Sequence, residues 1–138
     1  VNTVTTPRVA PARWADRTGR TVLAVDAVAT LGAFATGIPL VLDAPDEHVL
    51  TEFWRTTAYL VFAGLFTLLA VAPRKQRGLW ELILVHKIAV TGFALIVIDK
   101  PAAVLTAAID GVLVLTVVAA YVLCRGWRAW RPAQLDRT

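Results

Sequence analysis

Asp26, Glu81, His86, Lys87 and Asp110 are ionisable residues embedded in long apolar stretches. Carboxyl groups in apolar surroundings hold their protons tightly, and imidazole titrates near neutrality. Together they make a general acid and base for a lipophilic small molecule, suited to isomerisation, cyclisation or epoxide opening without metal or cofactor. In that chemistry His86 or Asp110 is the base, and Asp26 or Glu81 is the partner acid. Lys87 holds a neighbouring carboxylate ionised or stabilises a developing oxyanion. Trp80 and Tyr59 supply an aromatic wall for a cationic intermediate, and Thr30 and Thr106 add hydroxyls beside the acids. The lone cysteine, Cys124, excludes an intrachain disulfide and a CxxC pair, and no His/Cys cluster has zinc-ligand spacing.

The elements that carry these residues follow from composition. The 138 residues are 57% hydrophobic and 17% charged, with a mean hydropathy of +0.64. Soluble domains run nearer 45–50% apolar and about 25% charged, so disorder and a disulfide-stapled secreted module are excluded. Four segments have the roughly 20 apolar residues that a crossing helix needs: about 21–42, 53–72, 79–98 and 102–124. Charge and helix-breaking residues separate them at Asp43 to His48, Pro73 to Gly78, and Asp99 to Pro101. Each segment must be helical, because an isolated strand cannot satisfy its backbone in lipid. The expected fold is all-α, an integral membrane antiparallel four-helix transmembrane bundle with both termini cytosolic. A basic N-terminal arm (1–20) and a basic, Trp-containing tail (125–138) flank the transmembrane domain (21–124).

Orientation comes from the basic residues. Arg8, Arg13, Arg17 and Arg20 precede the first span, Arg74, Lys75 and Arg77 fill the second loop, and Arg125, Arg128, Arg131 and Arg137 follow the fourth span. The other two loops contribute Lys100 alone, so the positive-inside rule places both termini in the cytosol. A valine first residue and richness in Ala, Val and Arg suit a GTG start in a high-GC bacterium, hence its inner membrane. Trp14, Trp54, Trp80, Trp127 and Trp130 fall near span ends, where indole favours the headgroup layer. The tail RGWRAWRPAQ reads as an anchor on anionic lipid and not as a nucleic-acid site.

Burying an ionisable group in a span costs about 2.5–3.5 kcal/mol on insertion scales, so such groups face the bundle interior. Asp26, Thr30, Ala33 and Gly37 form one small, polar stripe on the first helix, and Thr106 and Asp110 are i, i+4 neighbours on the fourth. Ala103, Ala107 and Gly111 form a small-xxx-small run suited to close helix contact. Lys87, Thr91 and Ala94 share a face of the third helix, with His86 about 100° away. These faces predict a lipophilic pocket in the cytosolic half, lined by Asp26, Glu81, His86, Lys87 and Asp110. The bland alternative has Lys87 neutralising Asp110 or Asp26, Glu81 pairing with the Arg74–Arg77 loop, and His86 as a core histidine. The partners implied are a lipophilic small molecule, membrane lipids and, as an option, a second copy in a homodimer.

Two further classes fit the same residues. One is a small proton-coupled exporter with Asp26 as the exchanging carboxylate, which needs a dimer to build a pathway. The other follows from a resemblance. Size, four spans with both termini inside, Arg20 ahead of the first span and the Gly37-Ile38-Pro39 end of that span resemble the DoxX-like proteins. That resemblance implies a four-helix bundle and, as in some members, an accessory role in quinone-linked oxidation. It implies no functional residues here, because the chain has no cysteine pair and no bis-histidine arrangement for haem, His48 lying in an outer loop.

Overall fold

The computed structural model describes residues 10–131. They form four α-helices, α1 (Arg13–Leu42), α2 (Val49–Val71), α3 (Leu79–Ile96) and α4 (Ala103–Leu123), followed by a short 3-10 helix, Gly126–Trp130. All four are long and apolar enough to cross a membrane. At 30 residues, α1 measures about 45 Å against a hydrocarbon thickness of about 30 Å, so it extends well beyond a span. It begins eight residues before the expected start, inside the stretch read as an arm. The Asp16–Arg20 pair, one turn apart at 2.8 Å, supports that added helix.

The connections are tight. The carbonyl of Pro45 accepts from the amides of His48 and Val49 at 2.8 and 3.0 Å, which starts α2. Gly78 starts α3 at φ +76°, a left-handed conformation open to glycine without a Cβ clash. Ala102 adopts φ 64° after Pro101 to turn the chain into α4.

Helices α1 and α2 form one antiparallel hairpin, and α3 and α4 form the other. The hairpins meet chiefly where α1 packs on α4. Helices α2 and α3 touch at few positions, where Phe62 lies against His86 and Lys87. The order around the bundle is therefore α2, α1, α4, α3. At the α1–α4 seam, a Cβ added to Gly19 would stand 2.6 Å from Cys124 Sγ, so close approach there depends on the missing side chain.

The outward faces are apolar: Val28, Leu82 and Leu115 are about 70% exposed, alongside many other large hydrophobic side chains. A water-soluble monomer rarely shows so much apolar surface, whereas a bundle in lipid must. The inward core is Leu23, Ala27, Phe66, Leu69, Trp80, Ile83, Val117, Ala120 and Cys124. Every one of these lies in the half of its helix, or at the helix end, nearest the chain termini.

The terminal end is also locked by polar contacts. Asp16 pairs with Arg20 and with Arg74, and Arg74 donates to the carbonyl of Cys124 at 3.0 Å. Arg20 donates to the carbonyls of Ala70 and Val71 at 3.2 and 2.8 Å, satisfying the open C-terminus of α2. Arg77 donates to the Ala129 carbonyl, holding the 3-10 helix across this end.

Candidate functional site

The structure divides the expected cluster into three places. Lys87 Nζ stands 2.6 Å from Asp110 Oδ1, with side chains only 8% and 13% exposed. The face that Lys87 shares with Trp80, Ile83 and Ala94 is the buried face of α3, which brings it to α4. The ring of Phe62 on α2 covers the pair, with Nζ 4.2 Å from its centroid. His86 is exposed at the α2–α3 gap, its ring tilted 44° to that of Phe62 with centroids 4.7 Å apart.

Glu81 belongs to the terminal end. Its Oε1 accepts from Trp130 Nε1 at 2.9 Å, a contact made possible by the folded-back 3-10 helix. Trp80 is fully buried, donates from Nε1 to the Pro73 carbonyl at 2.8 Å, and meets Tyr121 edge-on at 5.4 Å. It belongs to the hydrophobic core. Tyr59 is half-buried on α2, and Thr30 is buried on α1.

Asp26 occupies the third place. It is buried in α1, faces Thr116 of α4, and its Oδ2 has no hydrogen-bond partner. Thr116 and Asp110 are six residues apart on α4, about 9 Å along the axis, so Asp26 and the Lys87–Asp110 pair sit at different depths. Among the described residues Asp26 has no ion-pair partner.

Beyond the pair, toward the Asp43–His48 and Val97–Ala102 connections, an open groove of about 410 Å³ runs along α3 and α4. Val90, Phe93, Ala94, Val97 and Ala103 make it apolar, and Thr106 and Lys100 are its polar groups. Lys87 lies three residues before Val90, and Asp110 lies four after Thr106, so the charged pair sits one helical turn below the groove. His86 continues the same strip of α3 as Val90, Phe93 and Val97.

Sequence reasoning had singled out Thr106 but missed the groove, Phe62 and Thr116. Phe62 carries no polar signal, and the pairing of Thr116 with Asp26 depends on the register between two helices distant in sequence. The basic network of Asp16, Arg20 and Arg74 was also missed, although the i, i+4 spacing of its first two members was visible. Cys124 is fully buried against Gly19, with Sγ 3.7 Å from the Asp16 carbonyl, and serves packing at the α1–α4 seam. Among the described residues no three His, Cys, Asp or Glu side chains are grouped to hold a metal ion.

Comparisons with protein-family models, with curated proteins and with solved structures found no match to this chain. The site therefore has to be interpreted from its own geometry.

Proposed function

We propose that this is a polytopic membrane protein that binds a lipophilic small molecule in the groove of its α3–α4 hairpin and performs acid–base chemistry on it. One observation carries this reading: a charged, buried Lys87–Asp110 pair sits one turn beneath an open apolar groove on the same two helices. A molecule in the groove would present a polarised C–H bond or an epoxide oxygen toward the pair. The Asp110 carboxylate then takes a proton and the Lys87 ammonium returns one, which is the balance of an isomerisation or cyclisation. Phe62 and His86 close the side toward α2 and limit water at the reacting atoms.

The basic end, with eleven of the twelve loop and terminal Lys and Arg residues, faces the cytosol in this reading, in a bacterial inner membrane. The groove then opens toward the opposite leaflet.

Native mass spectrometry of the detergent-purified protein tests the proposal, with wild type beside Asp110→Asn. A bound lipophilic molecule that is lost or weakened in the variant is the expected result. An empty wild-type protein whose assembly Asp110→Asn leaves unchanged would favour a second reading, a non-catalytic accessory subunit of the DoxX-like kind. That reading draws on the mutual neutralisation of Lys87 and Asp110, which leaves the pair able to serve packing alone.

A further inference from the structure

Asp26 is the buried acid that the groove does not use. Its side chain lies within the α1–α4 seam, the principal join between the hairpins, in the half filled by Leu23, Ala27, Val117 and Ala120. The charged groups of the surrounding elements are paired elsewhere, apart from Arg13 and Arg17, which are exposed near the start of α1. On α1, Asp16 pairs with both Arg20 and Arg74. Glu52 and Arg55 of α2 pair at the far end of the bundle. On α3, Lys87 binds Asp110 of α4, Glu81 accepts from Trp130, and His86 lies tilted against Phe62.

The polar group that α4 turns toward Asp26 is the Thr116 hydroxyl. That hydroxyl also lies 3.0 Å from the Leu113 carbonyl, so Asp26 shares the single hydroxyl hydrogen with a backbone acceptor. A carboxylate must compete with that carbonyl for the one hydrogen, whereas a carboxylic acid brings a donor of its own. An ionised Asp26 would lack a counter-charge and leave Oδ2 without a hydrogen-bond donor in an apolar seam, a costly state for a buried group.

We propose that Asp26 is a proton-binding site whose proton holds the two hairpins together along the α1–α4 seam. When the acid O–H bond breaks, the proton passes to a water admitted to the seam, and the carboxylate left behind must be hydrated where it stands. Hydration requires α1 and α4 to part, so proton release opens the bundle from the side that Leu23 and Val117 otherwise seal. This inference does not depend on what fills the groove.

Two measurements on the full-length protein test it. A hydrophobic carbodiimide, which adds to protonated carboxyl groups, should label Asp26 in the wild-type protein, mapped by peptide mass. The adduct should diminish as pH rises and be missing in Asp26→Asn. Absence of an Asp26 adduct overturns the proposal, and because this arm uses the wild-type chain it does not depend on a variant folding. The second measurement uses Cys124, the chain's single cysteine, which lies in the same seam against Gly19. Its alkylation by a small maleimide should accelerate with pH more steeply in wild type than in Asp26→Asn, which cannot ionise. The thiol's own titration is common to both proteins and cancels in the ratio. Coincident profiles would overturn the link between the proton and the seam.

Discussion

Around the chain termini, Leu23, Phe66, Leu69, Trp80, Ile83 and Val117 are fully buried and join all four helices. From the level of Lys87 and Asp110 to the far connections, the buried positions are small or polar: Thr30, Gly37, Thr56, Ala94 and Ala103. The terminal half adds a polar lock of Asp16, Arg20, Arg74 and Arg77, each reaching another element or its backbone. The far half has an open groove and unpartnered hydroxyls on Thr56 and Thr91. Lipid gives little drive for apolar side chains to leave it, so helices in a membrane stay together through close packing and polar contacts. One half has both and defines the fold. The other is packed through small and polar residues and leaves a groove open between α3 and α4.

The largest expected effect contrasts two aromatic residues of α3. Trp80→Ala removes a fully buried ring, its hydrogen bond to Pro73 and its edge contact with Tyr121, and should cost about 3–5 kcal/mol. Phe93→Ala, at a groove position that is 65% exposed, should stay within about 0.5–1 kcal/mol. Unfolding in a detergent series followed by circular dichroism reads both. Equal losses would mean that the two halves are packed alike and that the groove is closed in solution.

A smaller effect is expected at the border between the halves. Lys87→Ala leaves Asp110 buried without its counter-charge and should destabilise by about 3 kcal/mol. The double substitution Lys87→Met with Asp110→Leu removes both charges and should return stability to within about 1 kcal/mol of wild type. Loss of ligand binding in that restored protein would separate a functional pair from a structural one. Retained binding would show that the groove holds its occupant without the charges below it.

Much of this division could be read in the sequence, and the remainder depended on register. Four helices followed from length and apolarity, and their connections from Pro45, Gly78 and Pro101. The stripe of Asp26, Thr30 and Gly37 does face inward, because residues four, seven and eleven positions apart share a helix face. The Lys87–Asp110 pair was one of two partnerships open to Lys87. Depth along each helix, however, does not determine which acids meet. Asp26, Glu81 and Asp110 sit on three helices whose relative shift and rotation depend on packing between segments distant in sequence, such as Gly19 against Cys124 and Gly37 against Thr56. Glu81 was drawn away by Trp130, through a 3-10 helix whose return across the bundle end depends on the left-handed turn at Arg125. A left-handed arginine is not signalled by composition or periodicity.

The smallest effect should also have the opposite sign. Thr56 is buried where α2 crosses Gly37 of α1, with its side chain filling the space a Cβ on Gly37 would need. Its Oγ1 has no hydrogen-bond partner, unlike Thr57 and Thr67 on the same helix, which donate back to Phe53 and Ala63. Thr56→Val keeps the branched shape and removes the unsatisfied hydroxyl, so stability should rise by up to about 1 kcal/mol. A comparable gain from the same exchange at Thr67 is not expected, because that hydroxyl is already bonded. If Thr56→Val instead lowers stability, the hydroxyl has a partner such as water in the protein's working state. The far half would then be hydrated to the α1–α2 seam, and the boundary between the two halves would lie deeper than Lys87.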